Sequence, residues 1–362
     1  MGVEYGRDVR GAQWGKELRQ AALTAVVCLV VFALFSSSWK AGTPDIGLHW
    51  SIGEPQQQAQ QPQQAQRAQQ AQQAAAGGKP SGEVERLRGR YLDAVRDSIL
   101  GVHLATPELQ ATSVHTINQV TQLPFNASKR ARGNDSPAYG LSMIGQLRMN
   151  NLRTLLEDVL ARGVPGSFVE CGVWRGGASI FAKAILTAYG AQRDVHLVDS
   201  FQGLPRPTTG NDLDWWSKWT YMAVGQEEVQ SAFERFELLD SRVHFHKGFF
   251  RYALPAWRSR DKSPIALLRM DGDMYESTTD ELYNLWDFIS PGGYVIIDDW
   301  GLPECQKAMN DFFTRNKLTI KVTKIDDYGA WLQKTEAGAP IDHAWYQQFN
   351  SSRSNDDLKK GE

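Results

Sequence analysis

After Gly163-Val-Pro-Gly166 the chain alternates five short apolar runs with segments of helix length, and few folds accommodate that alternation. The runs are Phe168–Glu170, Val195–Val198, Val243–His246, Ile265–Met270 and Tyr294–Ile297. Parallel neighbours in a sheet need a crossover connection, usually a helix, so this order predicts a parallel sheet with helices on its faces. Beyond the fifth run, Thr319–Ile325 and Ala330–Gln333 are β-prone and flank Asp326-Asp-Tyr-Gly329, which predicts a closing antiparallel hairpin. The expected fold is α/β, a doubly wound, mostly parallel seven-stranded sheet of Rossmann-like kind. Two helices should precede it, because apolar residues recur at helical spacing over Glu83–Leu100 and Leu141–Leu160.

Two of the runs end in carboxylates. Asp271-Gly-Asp273-Met-Tyr-Glu-Ser follows the fourth and Asp298-Asp299 follows the fifth. Open parallel sheets bind ligands outside the carboxyl ends of their strands. Acids gathered there with no Lys or Arg among them repel one another unless a cation sits between them, so a hard divalent ion is expected. Asp273 reads as a helix cap or as a group behind the cluster.

The first run leads into Glu170-Cys-Gly172-Val-Trp-Arg-Gly176-Gly177, a glycine-rich turn that lets a ligand approach the backbone. Trp174 stands where a dinucleotide fingerprint has its second glycine, and Glu170 would repel a phosphate. A cofactor with an ammonium and a sulfonium and no phosphate suits this rim, which describes S-adenosylmethionine. Asp199, ending the second run, is placed to accept hydrogen bonds from ribose hydroxyls. Gly172, Gly176, Ser200 beside Asp199, and Gly248 after the third run complete the expected cofactor contacts. A parallel sheet closed by a hairpin also points to a methyltransferase and away from a dehydrogenase.

Four stretches, Glu170–Ala178, Val198-Asp-Ser-Phe-Gln-Gly-Leu-Pro205, Met270-Asp-Gly-Asp-Met-Tyr-Glu-Ser277 and Pro291-Gly-Gly-Tyr-Val-Ile-Ile-Asp-Asp-Trp300, closely resemble the macrocin O-methyltransferase family. With Tyr91-Leu-Asp, Gly133-Asn-Asp-Ser-Pro137 and Ser142-Met-Ile-Gly145 the resemblance covers roughly residues 90–334. It implies S-adenosylmethionine and Mg2+ as cofactors and a sugar hydroxyl as acceptor. It further implies Asp271, Asp298 and Asp299 as metal ligands, Asp271 also as the base, and Glu170 and Asp199 as cofactor contacts. The chain departs from the family where Gly248-Phe-Phe-Arg-Tyr-Ala-Leu-Pro255 replaces the usual Asp-Thr before Leu-Pro.

Residues 1–80 differ in kind. Ala21–Phe35 carries no charge, and Ser36–Trp39 extend it to about 19 residues, close to the length that crosses a bilayer. Arg7, Arg10, Lys16 and Arg19 precede it and Lys40 follows, which predicts a type II signal anchor over 21–39 with the body in the lumen of the Golgi or another secretory compartment. A cleaved signal peptide and a buried soluble helix are the competing readings. Residues 40–80, rich in Gln and Ala, read as a flexible stem, 81–334 as the methyltransferase domain, and 335–362 as a polar tail. Lys+Arg 39 against Asp+Glu 41 gives a net charge of −2, which supplies no basic surface for nucleic acid. Cys28, Cys171 and Cys305 have no metal-ligand spacing.

Gly203–Gly225 carries Trp215, Trp216, Trp219 and Tyr221 in a connection long enough to be a lid, or else an apolar patch over the sheet edge. His244 and His246 share one strand face, and structural roles are expected for both. The leading expectation is an anchored, luminal, metal-dependent O-methyltransferase of glycans or glycoconjugates. The alternatives are a membrane-tethered enzyme acting on a glycosylated small molecule and a non-catalytic scaffold. Lipid is an expected partner through the anchor, and a homo-oligomer is left open.

Overall fold

The structure is a computed structural model describing residues 81–111, 120–214, 216–335 and 340–353. The expected anchor, the stem, Trp215 and residues 354–362 lie outside the described residues. Among the described residues no helix is long and apolar enough to cross a membrane.

Helix α1 (Gly82–Ile99) starts where the Ser81 side chain accepts from the Val84 N–H, has Glu83 and Glu85 in its first turn, and buries Leu92, Val95 and Ile99. A serine cap and early acids satisfy the free N–H groups and the positive end of the helix dipole. Next come β1 (Glu108–Ala111), β2 (Val120–Leu123), α2 (Ala127–Arg132) and β3 (Ser136–Pro137), the strands pairing antiparallel in the order β2-β1-β3. This small sheet was not anticipated, because four-residue strands carry too little alternation. Its anchor is polar: Arg130, with no exposed surface, bonds Asp135 at 2.8 Å, the Leu100 carbonyl at 2.6 Å and the Thr106 carbonyl at 3.0 Å. Helix α3 (Gly145–Ala161) begins four residues later than expected, at a glycine with φ +75° whose added Cβ would lie 2.2 Å from the Gly133 nitrogen.

The main sheet contains β4 (Ser167–Cys171), β5 (Val195–Asp199), β6 (Val243–Lys247), β7 (Ile265–Met270), β8 (Ile289–Ile297), β9 (Val322–Lys324) and β10 (Ala330–Gln333). Its order is β6-β5-β4-β7-β8-β10-β9, with β4 to β8 parallel and β10 antiparallel to both β8 and β9. The expected doubly wound sheet and its closing hairpin are both present. Crossovers run through α4 (Gly177–Ala188), α5 (Gln226–Arg235), α6 (Phe250–Arg258) and α7 (Tyr275–Leu285), and α8 (Pro303–Arg315) precedes the hairpin. One apolar cluster packs α1, α3, α4 and α5 on one face, and a second packs α6, α7 and α8 on the other. Every residue of β4 and β7 is buried. Strand order reverses between β4 and β7, which opens a crevice at their carboxyl ends.

The stretch expected as a polar tail instead contains α9 (His343–Ser352), capped by Asp342 accepting from the Trp345 N–H at 3.1 Å. Tyr346 stacks on Tyr283 with ring centroids 5.0 Å apart, and Trp345 stacks on Phe349. These aromatics sit among polar residues, so average hydropathy hides the face that holds the helix down.

Candidate active site

The β4–α4 turn and the β7–α7 loop meet backbone to backbone. Gly172 has φ +78°, and a Cβ there would lie 2.0 Å from the Asp271 carbonyl oxygen, so no side chain fits. Asp199 ends β5 beside this contact; its Oδ2 accepts from the Val173 N–H at 2.8 Å and its Oδ1 from the Phe201 N–H at 2.6 Å. Burial raises its pKa against the pull of those N–H groups. Asp199, Ser200, Gly172 and Asp271 line one pocket with Phe249, Phe250 and Arg251. Ser200 Oγ donates to the Gly203 carbonyl at 2.6 Å. Gly176 and Gly248 stand behind this wall: a Cβ on Gly176 would press on Val229 at 2.7 Å, and the Gly248 N–H bonds the Asp199 carbonyl at 2.8 Å.

Asp271 at the end of β7 and Asp298 and Asp299 at the end of β8 bring one carboxylate oxygen each within 4.8 Å of the others. The expectation that no Lys or Arg stands among them is corrected. Arg269, 2 % exposed inside β7, puts Nη1 at 2.7 Å from Glu170 and 2.8 Å from Asp271, and Nη2 at 2.6 Å from Asp298. Arg148 of α3 pairs with Asp298 and reaches Asp326 at 3.2 Å. The first was concealed in an apolar run and the second comes from a helix distant in sequence. Neutral pairing is still incomplete, because Glu170, Asp271, Asp273, Asp298, Asp299 and Asp326 outnumber the two guanidiniums. Burial pushes the Glu170 carboxyl up to about 7 and Asp271 up to about 6, partly opposed by Arg269. Burial and mutual repulsion push Asp273 and Asp299 well above the usual carboxylate range. Asp298 is also buried, yet Arg148 and Arg269 hold it below its ordinary value.

The donor set fits a hard dication. Its atoms are all carboxylate oxygens, and an oxygen paired with a guanidinium keeps a second lone pair for an ion. Asp271, Asp298 and Asp299 would hold such an ion, and it would supply Lewis-acid activation of an oxygen bound there.

Glu170, expected as a cofactor contact, turns inward to Ser179 and Arg269. Asp273 does not cap α7: it has φ +57° and its N–H donates to Asp299 at 2.8 Å. Asp212 does the capping from the 203–225 connection, accepting from the N–H groups of Tyr275 at 2.7 Å and Glu276 at 3.0 Å. Glu276 in turn accepts from the N–H of Thr208 at 2.8 Å and of Thr209 at 2.5 Å. The long connection is thereby fastened to the reaction centre. It sets Trp216, Trp219 and Tyr221 along a second cleft whose floor is Asp271, Asp298 and Asp299. The cleft is the roomier of the two, so it suits the bulkier ligand. Trp174, Met222, Asp271 and Asp273 line both. Arg148, Arg269, Asp212 and Glu276 were missed from sequence; the lone Arg in an apolar run was the one available signal.

A seven-stranded sheet with a closing hairpin, a glycine turn after β4, the middle of its five parallel strands, and a strand-end acid beside it defines a class I methyltransferase fold. The pattern of the macrocin O-methyltransferase (TylF) family matches residues 91–334. The chain belongs to that family and is an S-adenosylmethionine-dependent O-methyltransferase. It is 36 % identical over 253 residues to mycinamicin III 3''-O-methyltransferase of Micromonospora griseorubida, covering 68 % of this chain and 96 % of the relative. It is 40 % identical over 220 residues to 8-demethyl-8-(2,3-dimethoxy-alpha-L-rhamnosyl)-tetracenomycin-C 4'-O-methyltransferase of Streptomyces olivaceus, covering 59 % and 83 %. Among solved structures, the O-methyltransferase NovP superposes with a TM-score of 0.61 at 35 % identity, over 69 % of this chain and all of NovP.

Proposed function

We propose that the enzyme methylates a sugar hydroxyl of a glycosylated small molecule, with Asp271 as base and with Asp271, Asp298 and Asp299 holding a divalent cation, magnesium by preference. The observation that carries this reading is the shared wall: Asp271 faces both the pocket beside Asp199 and the aromatic cleft. A methyl donor in the first and a hydroxyl in the second meet beside one carboxylate.

Methyl transfer is a displacement at carbon, so most of the catalysis is alignment. The hydroxyl oxygen forms the new bond to the methyl carbon, the carbon–sulfur bond breaks to leave S-adenosylhomocysteine, and the hydroxyl proton passes to an Asp271 oxygen. Burial raises the Asp271 carboxyl while Arg269 opposes the rise, and a bound cation would oppose it further, so Asp271 would meet the hydroxyl as an ionised carboxylate able to accept its proton. Trp216 and Trp219 offer apolar faces to the acceptor and keep water from it. A bound dication lowers the pKa of a hydroxyl that it coordinates. Arg269 and Arg148 hold Asp298 ionised for such a ligand role.

The small-molecule acceptor takes precedence over the luminal glycan because a relative of 40 % identity is named for a rhamnosyl-tetracenomycin substrate. The tether remains part of the proposal through the apolar segment 21–39, and recovery of the full chain in the soluble fraction of its own cells would remove it. The central test supplies labelled S-adenosylmethionine with glycosylated small molecules or polymeric glycans, with magnesium or a chelator, to the wild type and Asp271→Asn. Label in the small molecules that needs both magnesium and Asp271 is expected. Label confined to the glycans would sink the acceptor assignment, and full activity in chelator would sink the metal.

A further inference from the structure

Arg353 lies beyond the matched family domain, which ends at residue 334, yet it lines the same pocket as Asp199 and Gly172. We propose that Arg353, delivered by α9, is a positioning residue for S-adenosylmethionine, and that α9 and Arg353 form the outer wall of the cofactor pocket. The inference rests on the reading of that pocket as the cofactor site.

The arginine side chain is 2 % exposed and fully engaged. Nη1 bonds both oxygens of Asp280 at 2.7 and 2.9 Å, Nη2 lies 3.0 Å from Glu276, and Nε donates to Thr208 Oγ1 at 3.1 Å. Glu276 and Asp280 sit on α7 with side chains only 1 % and 3 % exposed, and buried carboxylates of this kind need a counter-charge held in fixed geometry. Tyr346 adds a hydrogen bond to Asp280 at 2.8 Å. From the other side Arg251 donates to the Asn350 side chain at 2.7 Å and to the Asn350 carbonyl at 3.1 Å.

One segment thus joins the start of α7, the start of α6 and the connection at Thr208. Arg251, Ser277, Asp280 and Arg353 face the pocket from those elements, whereas none of the four lines the aromatic cleft. Loss of the arginine side chain therefore acts through its partner Asp280 on the cofactor side. The dense pairing also separates this wall from a mobile flap: its polar groups bond α6 and α7, which the apolar core already fixes.

The test uses the full chain with Arg353→Gln and Arg353→Lys, titrated calorimetrically with S-adenosylhomocysteine and assayed for the KM of each substrate. The Gln variant should bind S-adenosylhomocysteine about tenfold or more weakly, the scale of one lost charge-assisted hydrogen bond, with partial recovery in Lys and an acceptor KM within about twofold of wild type. Where the Gln variant does not fold, Tyr346→Phe keeps the charges paired and should weaken cofactor binding about threefold. Unchanged affinity in a folded Arg353→Gln, or a loss confined to the acceptor KM, would overturn the proposal. Failure of the wild type to bind S-adenosylhomocysteine would overturn the assignment of the pocket itself.

Discussion

The two ends of the main sheet each gather three metal-capable side chains within 4.8 Å, and only one of them resembles a reaction centre. At the carboxyl ends, Asp271, Asp298 and Asp299 line an open cleft, with more carboxylates than cations around them. Near the amino ends, Asp194, His196 and His244 are already engaged with one another and their neighbours. His196 and His246 share a hydrogen bond at 3.0 Å, both rings pack on Trp257 with centroids 4.7 and 4.3 Å away, and Asp194 pairs with Arg242 at 3.3 Å. Proximity of donors is common to both; unsatisfied charge facing a cavity distinguishes the first. The structural role expected for His244 and His246 agrees with this packing.

Substitutions at the two ends should therefore differ in kind. Asp271→Asn should lower turnover about 10²- to 10⁴-fold, the usual scale for a positioned base, while thermal unfolding stays near wild type; turnover within tenfold would deny Asp271 that role. Arg269→Met should destabilise by about 3–5 kcal/mol, because it leaves buried carboxylates unpaired, and urea unfolding would reveal it. A loss under about 1 kcal/mol would mean that the guanidinium does not hold the strand ends together.

At the amino ends, burial and the neighbouring histidines lower His196 to about 3 and His246 to about 4 from an ordinary 6.5. A depressed histidine contributes stability that is present above the unfolded pKa and lost as pH falls, since the unfolded chain takes up protons that the folded one refuses. The stability advantage of wild type over His246→Phe should thus shrink as pH drops from 6.5 towards 4. Parallel pH curves for the two proteins would contradict the buried neutral imidazole. The smallest change is expected from half-exposed His244→Ala: about 1 kcal/mol or less in stability and unaltered turnover. A large loss of activity there would erase the contrast between the ends.

Much of the scaffold was legible because it follows from local pattern. The fourth apolar run is β7 residue for residue, and Ala330–Gln333 is β10. The acids flanking β7 and β8 were found because strand ends carry ligands in such sheets. What escaped depends on partners remote in sequence. Nothing near Arg148 announces Asp298, nothing near Asp212 announces the start of α7, and Arg130 fixes a small sheet through bonds that hydropathy does not register. Arg269 escaped for another reason: a charged residue in an apolar strand looks like noise until three carboxylates are seen around it. The aromatic face of α9 is diluted by Gln and Asn and was read as tail.

The contact between Gly172 and the Asp271 carbonyl bears on how such an enzyme could acquire new substrates. On the proposed reading the donor-side turn and the backbone of the base touch, so the spacing between that turn and the start of the Asp271 side chain is set by the main chain. Drift in acceptor choice must then accumulate elsewhere, in the tryptophan-bearing connection and the small amino-terminal sheet that flank the cleft. Laboratory evolution towards a different sugar should leave the seam untouched and spend its mutations on that rim.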